Sequence, residues 1–226
     1  MRLRTLLFDY GGTLDAPGVP WVERFLEIYA AEGLSEPDER VRAAFGHATR
    51  CAYADSNIRG FGLDQTVIFH IDRQLEFLGR REPRLAAAVG ARFVGAARAD
   101  LAASRAVLTR LQPRFALGVI SNFYGNVHIL LEEAGISPLL STIIDSTRAG
   151  VSKPDPAIFR MAIDKVGGTA AEAMYIGDSF EKDVVGARAA GLQTAWLCGT
   201  KERACANPEL VDVRLCDLAE LETHLR

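Results

Sequence analysis

The chain has 226 residues, about half of them apolar, and a formal net charge of −3 with no basic run. This composition is ordinary for a globular protein, and the charge argues against nucleic acid as a partner. The four cysteines show no CxxC spacing, and no apolar stretch approaches the roughly 18 residues of a membrane span. The sequence also opens without a secretory signal pattern, so we expect a cytoplasmic protein with reduced thiols and no membrane partner.

Five short apolar runs predict buried strands. They are continuous rather than alternating, which is typical of parallel strands covered on both faces. The runs are RTLLFD (4–9), FALGVIS (115–121), LLSTIID (139–145), AMYIGD (173–178) and LQTAWLC (192–198). Helical patterns that stop at glycines separate the later runs. This alternation predicts an α/β fold with a doubly wound, Rossmann-like parallel sheet.

A long helical segment interrupts the alternation after the first strand. Between residues 16 and 98 the sequence predicts no strand and at least four helices. The predicted helical stretches are roughly WVERFLEIYAAEG, PDERVRAAFGHATRCAYA, LDQTVIFHIDRQLEFLG and PRLAAAVGARFVGAARAD. We therefore predict an all-helical domain at 16–98, inserted into a core formed by residues 1–15 and 99–226.

Polar side chains end the predicted strands. They are Asp9 after the first, Ser121 and Asn122 at the second, Asp145 at the third and Asp178 at the fourth. Lys153 and Asp183 lie in the loops that follow the third and fourth strands. Ligands of open α/β sheets bind at the carboxyl ends of the strands. Any one of these residues also suits a turn or a helix cap. As a set, however, converging carboxylates would repel without a cation, and oxygen ligands in this number suit Mg²⁺.

The strand ends carry four motifs in order. They read DYGGT from Asp9, VISN ending at Asn122, SKPDP around Lys153 and GDSFEKD ending at Asp183. On these motifs the chain resembles the haloacid dehalogenase-like hydrolase superfamily over nearly its whole length. The helical insertion resembles the cap of the subgroup whose lid is a helical bundle. The resemblance implies a Mg²⁺-dependent phosphatase, or phosphoryl transferase, acting on a small phosphorylated metabolite.

The resemblance also implies a role for each motif. Asp9 would be the nucleophile and form an aspartyl-phosphate, which water then hydrolyses. Mg²⁺ would be held by Asp9, Asp178 and the backbone carbonyl of Gly11, with Asp183 as a ligand or a support for the ligands.

The remaining motif residues would bind the phosphoryl group or shape its site. Ser121 and Asn122 would hold phosphoryl oxygens, and Lys153 would neutralise their charge. Gly12 would permit close approach of the backbone, and Thr13 would brace the turn through its hydroxyl.

Gly11 departs from the family pattern. The family motif is D-x-D-G-T, and its second Asp protonates the leaving oxygen and later activates water. Gly11 occupies that position and can do neither. Loss of a general acid costs about 10²- to 10⁴-fold for a poor leaving group, and much less for an acyl or aryl phosphate.

Three alternatives remain beside the phosphatase. A catalytically silent relative would bind a phosphorylated ligand or a protein partner. Dehalogenases of the family carry Tyr at the position of Gly11, whereas Tyr10 here is one place too early. Phosphonate hydrolases carry a small residue there but need a lysine in the cap, and no lysine precedes Lys153.

Other side chains are candidates to contact the substrate or replace the missing acid. Arg59 lies beside glycines, in NIRGFG, in a predicted loop between cap helices, and would contact a substrate anion. His47 and His70 lie in the cap and Asp15 at its hinge, although apolar neighbours make His70 more typical of a core residue.

Overall fold

A computed structural model describes residues 2–200, 205 and 207–225. Within these ranges six strands form one parallel sheet in the order β3-β2-β1-β4-β5-β6. The strands are β1 Thr5–Phe8, β2 Ala116–Ser121, β3 Thr142–Asp145, β4 Ala173–Gly177, β5 Gln193–Leu197 and β6 Val213–Leu215. The predicted α/β fold with a Rossmann-like parallel sheet is therefore confirmed.

The sheet is covered on both faces, as its continuous apolar strands predict. Along β1, Leu6 and Phe8 pack into one buried cluster and Leu7 packs into another. The second cluster includes Ile158 and Phe159. Because neighbouring side chains of a strand point to opposite faces, a strand buried on both sides needs apolar residues at every position.

Four helices follow β1. They are α1 Trp21–Ala31, α2 Asp38–Ala54, α3 Leu63–Phe77 and α4 Pro83–Leu111. Their apolar faces join the same buried cluster as Leu6 and Phe8. Helix α4 has 29 residues and is continuous through residue 98, where we placed the boundary between cap and core. One helix thus spans both predicted parts, and the division of the chain into domains stays a prediction.

The remaining helices alternate with the strands. They are α5 Val127–Glu133, α6 Ser146–Ala149, α7 Pro156–Val166, α8 Val185–Ala189 and α9 Leu221–His224. A π-helical turn, Phe180–Val184, leads into α8 and contains the last acid of the fourth motif. In the described part of the chain, no helix combines the length and apolarity required to cross a bilayer.

Candidate active site

Three carboxylates converge where β1 and β4 end side by side. Asp9 directly follows β1, Asp178 directly follows β4, and the two strands pair in parallel. Asp183 reaches the same place from the π-helical turn. One carboxylate oxygen from each of the three residues lies within 4.8 Å of the others, and all three residues are buried. The structure therefore brings together the acids that the sequence predicts for a metal site.

Lys153 lies inside this cluster. Its ammonium nitrogen is 2.8 Å from Oδ1 of Asp9 and 2.7 Å from Oδ1 of Asp183. It also donates to the Tyr175 hydroxyl at 2.8 Å, and that hydroxyl donates to the carbonyl of Ile120. Burial lowers the pKa of Lys153, but the Asp183 and Asp9 carboxylates outweigh burial, so the pKa is raised. The lysine is therefore a fixed positive charge beside Asp9.

The charge of the cluster fits a divalent cation. Among the described residues, three carboxylates meet in one buried place, and the Lys153 ammonium pairs with Asp9 and Asp183. Burial raises the pKa of Asp183, while the Lys153 ammonium opposes that shift. Hard carboxylate oxygens are the ligands that Mg²⁺ prefers, and a cation would offset the repulsion among the three converging acids.

Asn122 holds the loop that carries Lys153. Its Nδ2 donates to the carbonyl of Lys153 at 2.9 Å, and its Oδ1 accepts from the Lys153 backbone N–H at 2.8 Å. Ser121, the last residue of β2, is 2% exposed and lines the same cavity as Asp9. The side-chain amide of Asn122 thus positions Lys153. A role for Ser121 or Asn122 in binding substrate stays a prediction.

The two glycines after Asp9 have different surroundings. Gly12 has a φ of +84°, and a Cβ there would lie 2.6 Å from Oδ2 of Asp178, so a side chain would collide with the acid cluster. At Gly11 a Cβ would lie 3.6 Å from Nε1 of Trp21, which is an ordinary contact. Only the first of these positions requires glycine.

Asp15 is held away from the cavity. Its Oδ1 accepts from the backbone N–H of Gly12 at 2.7 Å, and its Oδ2 accepts from Nε1 of Trp21 at 2.5 Å. The Arg24 guanidinium lies 3.4 Å from Oδ2 and donates to the Asp15 carbonyl. These hydrogen bonds link the glycine turn to helix α1. Because Asp15 has no exposed surface, it is not placed to replace the missing acid.

The structure places two of the predicted substrate-binding residues outside the cavity. The Thr13 hydroxyl is buried and has no hydrogen-bond partner among the described residues, so it does not brace the turn; the Asp15 carboxylate holds the turn instead. Arg59 is exposed in the turn Ser56–Gly60, with its aliphatic part beside Gly125. It does not line the cavity of Asp9.

Three further candidates have structural contacts instead. The Asp145 carboxylate accepts from the backbone N–H groups of Gly125, Val127 and Thr147, and so caps two helices. His70 is buried among aromatic rings, and burial lowers its pKa to about 3. His47 packs against Phe77 and does not line the cavity.

A cavity of about 540 Å³ opens onto the acid cluster. Its volume lies within the range of small-molecule sites. Core residues on its wall include Asp9, Gly11, Ser121, Lys153 and Asp178. Helices α1 and α2 form the opposite wall, and sequence patterns alone could not show which of their side chains face it.

A sequence model of the haloacid dehalogenase-like hydrolase family matches residues 3–191. The chain belongs to this family. It is 38% identical over 89 residues to a phosphoserine phosphatase of Thermus thermophilus, covering 39% of this chain and 35% of that protein. It is 29% identical over 93 residues to the pyrimidine 5'-nucleotidase YjjG of Escherichia coli, covering 40% of this chain and 41% of that protein. The matches span well under half of these relatives.

Solved structures share the fold across the chain. The HAD-hydrolase YfnB of Bacillus subtilis, bound to magnesium, aligns over 100% of both chains with a TM-score of 0.61 and 21% identity. The L-2-haloacid dehalogenase of Xanthobacter autotrophicus aligns over 99% of this chain and 98% of that chain, with a TM-score of 0.60 and 16% identity. At these identities the likeness shows the fold and does not distinguish phosphatase from dehalogenase.

Proposed function

We propose that this hydrolase is a Mg²⁺-dependent phosphatase, or phosphoryl transferase, that acts on a small phosphorylated metabolite through an aspartyl-phosphate on Asp9. One observation carries the proposal: Asp9 lines the cavity and belongs to a buried cluster of three carboxylates that suits a divalent cation. A dehalogenase of this family needs no metal, whereas three converging carboxylates are a donor set that suits one.

The first step is attack of the Asp9 carboxylate on phosphorus. An oxygen–phosphorus bond forms to Asp9, and the bond from phosphorus to the leaving oxygen breaks. Oδ1 of Asp9 accepts from the Tyr10 backbone N–H at 2.7 Å and pairs with Lys153, so these two groups fix the orientation of the nucleophile. Lys153 also provides positive charge for the phosphoryl oxygens.

Asp9, Asp178 and the carbonyl of Gly11 would hold Mg²⁺, with Asp183 as a ligand or support. When bound, the ion supplies positive charge that balances the acids and the phosphoryl group. Asp183 accepts from the Ser179 backbone N–H at 2.9 Å and pairs with Lys153, so its orientation is fixed from two sides.

The second step is hydrolysis of the aspartyl-phosphate by water. Gly11 provides no side chain to protonate the leaving oxygen in the first step or to activate water in the second. Asp15, His47 and His70 do not line the cavity and cannot stand in for it. We therefore propose that the leaving group departs as a stable anion, as from an acyl or aryl phosphate.

The similarity to curated phosphatases supports phosphoryl chemistry, although each match covers only part of those proteins. Turnover of a phosphate-ester panel, including acetyl phosphate, tests the proposal when run with Mg²⁺ and with EDTA. We expect Mg²⁺-dependent hydrolysis that Asp9→Asn abolishes. Binding of phosphate esters without any turnover would instead identify a catalytically silent relative, the second candidate that the loss of the acid at Gly11 favours.

A further inference from the structure

The described residues that α1 and α2 contribute to the cavity wall are uncharged. Helix α1 and the residue before it contribute three side chains and helix α2 another three: Pro20, Trp21, Val22, Phe45, Thr49 and Tyr53. Phe45, Thr49 and Tyr53 are four residues apart along α2, so they lie on one face of that helix. This face looks toward the space that the leaving group of a substrate on Asp9 would occupy.

Aromatic rings from these helices and from the loop after β2 form a continuous strip along the cavity. The ring of Tyr53 meets that of Tyr124 at 4.9 Å between centroids, and Tyr124 meets Phe123 at 4.8 Å. Phe123 in turn meets the Trp21 indole at 5.7 Å. The rings are tilted or edge-on to each other, which is the arrangement that aromatic groups prefer. All four rings line the cavity, and Tyr53, which is 48% exposed, offers the most surface to one more ring.

Charged groups near this wall do not form an anion site. Arg59 does not line the cavity. Among the described residues, the charged side chains on the cavity apart from the acid cluster and Lys153 are Glu181 and Lys182, which are exposed, adjacent and opposite in sign. A second phosphate or a carboxylate placed against the aromatic rings would be desolvated away from a buried cation, which is unfavourable.

We propose that the substrate is the phosphate ester of a phenol, with its uncharged aryl group seated on the aromatic strip. This inference rests on the proposed function and names the substrate class of the same site. Two separate observations lead to it: the composition of the cap wall and the absence of an acid at Gly11. A phenol has a pKa of about 10, well below that of an alcohol, so its anion leaves without a proton from the enzyme.

The step balances without a further reactant. The Asp9 oxygen forms its bond to phosphorus while the bond from phosphorus to the aryl oxygen breaks. The electron pair of that bond leaves on the phenolate, which takes a proton from solvent. Water then hydrolyses the aspartyl-phosphate and releases inorganic phosphate.

Binding of stable phosphonates tests the aryl site without relying on turnover. Trp21 and Trp196 are the only tryptophans of the chain, and both line the cavity, so their fluorescence reports an occupied site. In the presence of Mg²⁺ we expect phenylphosphonate to bind at least about 10-fold more tightly than methylphosphonate. Phe45→Ala and Tyr53→Ala should remove most of this preference. Phe77→Ala, which changes a 41% exposed ring outside the cavity, should retain it.

Equal binding of the two phosphonates, absence of binding, or tighter binding of 2-carboxyethylphosphonate would overturn the aryl site. A hydrolysis assay with phenyl phosphate and acetyl phosphate distinguishes failure of this inference from failure of the proposed function. Hydrolysis of acetyl phosphate without any phenyl preference would refute the aryl site alone. Selective phenylphosphonate binding without turnover of either phosphate would refute the proposed catalysis and support the aryl site.

Discussion

The Asp15 carboxylate and the Trp21 indole join the loop after β1 to helix α1, through a hydrogen bond of 2.5 Å from Nε1 of Trp21 to Oδ2 of Asp15. The other oxygen of Asp15 accepts from the backbone of Gly12, beside the nucleophile. Burial raises the pKa of Asp15, and the Arg24 guanidinium opposes that shift. One buried side chain thus sets the position of the cap helix relative to the glycine turn.

Removal of the Asp15 carboxylate should destabilise the protein. In Asp15→Ala, the Arg24 guanidinium, which is 7% exposed, would be left without the carboxylate that pairs with it. We expect the free energy of unfolding to fall by about 3–5 kcal/mol, measured by urea denaturation.

The Arg98–Asp64 pair provides the control, because its side chains are 63% and 50% exposed. Arg98→Gln should lower the free energy of unfolding by less than about 1 kcal/mol. An equal decrease in the free energy of unfolding in the two variants would show that the Asp15–Arg24 pair contributes no more than an exposed ion pair.

Adjacent glycines should respond differently to the same substitution. Gly12→Ala forces a side chain into a left-handed conformation and against the Asp178 carboxylate, so it should cost about 1–3 kcal/mol of stability. Gly11→Ala meets Trp21 only at ordinary contact distance and should be nearly neutral. Urea denaturation of the two variants checks this order, and a greater loss at Gly11 would contradict the turn geometry.

Restoration of the missing acid should broaden the leaving groups that the enzyme accepts. Gly11→Asp should accelerate hydrolysis of alkyl phosphates by up to about 10²- to 10⁴-fold and change aryl phosphates much less. Gly11→Asn is the matched control, because it has the same shape without the acid. The measurement is kcat/KM against leaving-group pKa. Similar rates for alkyl and aryl phosphates in the unmodified enzyme would mean that another group already supplies the proton.

Magnesium should stabilise the folded protein through the acid cluster. A ligand that binds only the folded state stabilises it by RT ln(1 + L/Kd), where L is the free ligand concentration, and therefore raises Tm. We expect Mg²⁺ to raise Tm, Asp178→Asn to remove most of that increase, and EDTA to reverse it. Asp164→Asn, a substitution on the exposed side of α7, should keep the full increase. The metal assignment fails if Asp178→Asn responds to Mg²⁺ like the control.

Much of the fold could be predicted because it depends on local patterns. The five continuous apolar runs correspond to β1–β5, and the first four strands end within a residue or two of the polar groups that the sequence indicated. Strand β6 was missed because Val213–Leu215 has three residues with an exposed Arg214 between its apolar ones. Such a short, alternating edge strand lacks the pattern of a buried parallel strand.

The acid cluster could be predicted because parallel strands deliver their ends to one edge of the sheet. This rule is enough to predict that Asp9 and Asp178 lie close together. Asp145 also ends a strand at that edge, but its carboxylate caps a helix. The surroundings of Arg59 and Asp15 depend on how the cap packs on the core, which no local pattern encodes. We divided helix α4 at residue 98 for the same reason, since its continuity follows from packing against both parts.

The most direct test of the proposed chemistry is detection of the phosphorylated nucleophile. The enzyme would be mixed with Mg²⁺ and acetyl phosphate or phenyl phosphate, quenched in acid and digested, and its peptides would be analysed by mass spectrometry. The account predicts a phosphoryl group on Asp9, transient in the unmodified protein and absent in Asp9→Asn. Turnover without phosphorylation of Asp9, or with the phosphoryl group on another residue, would contradict it.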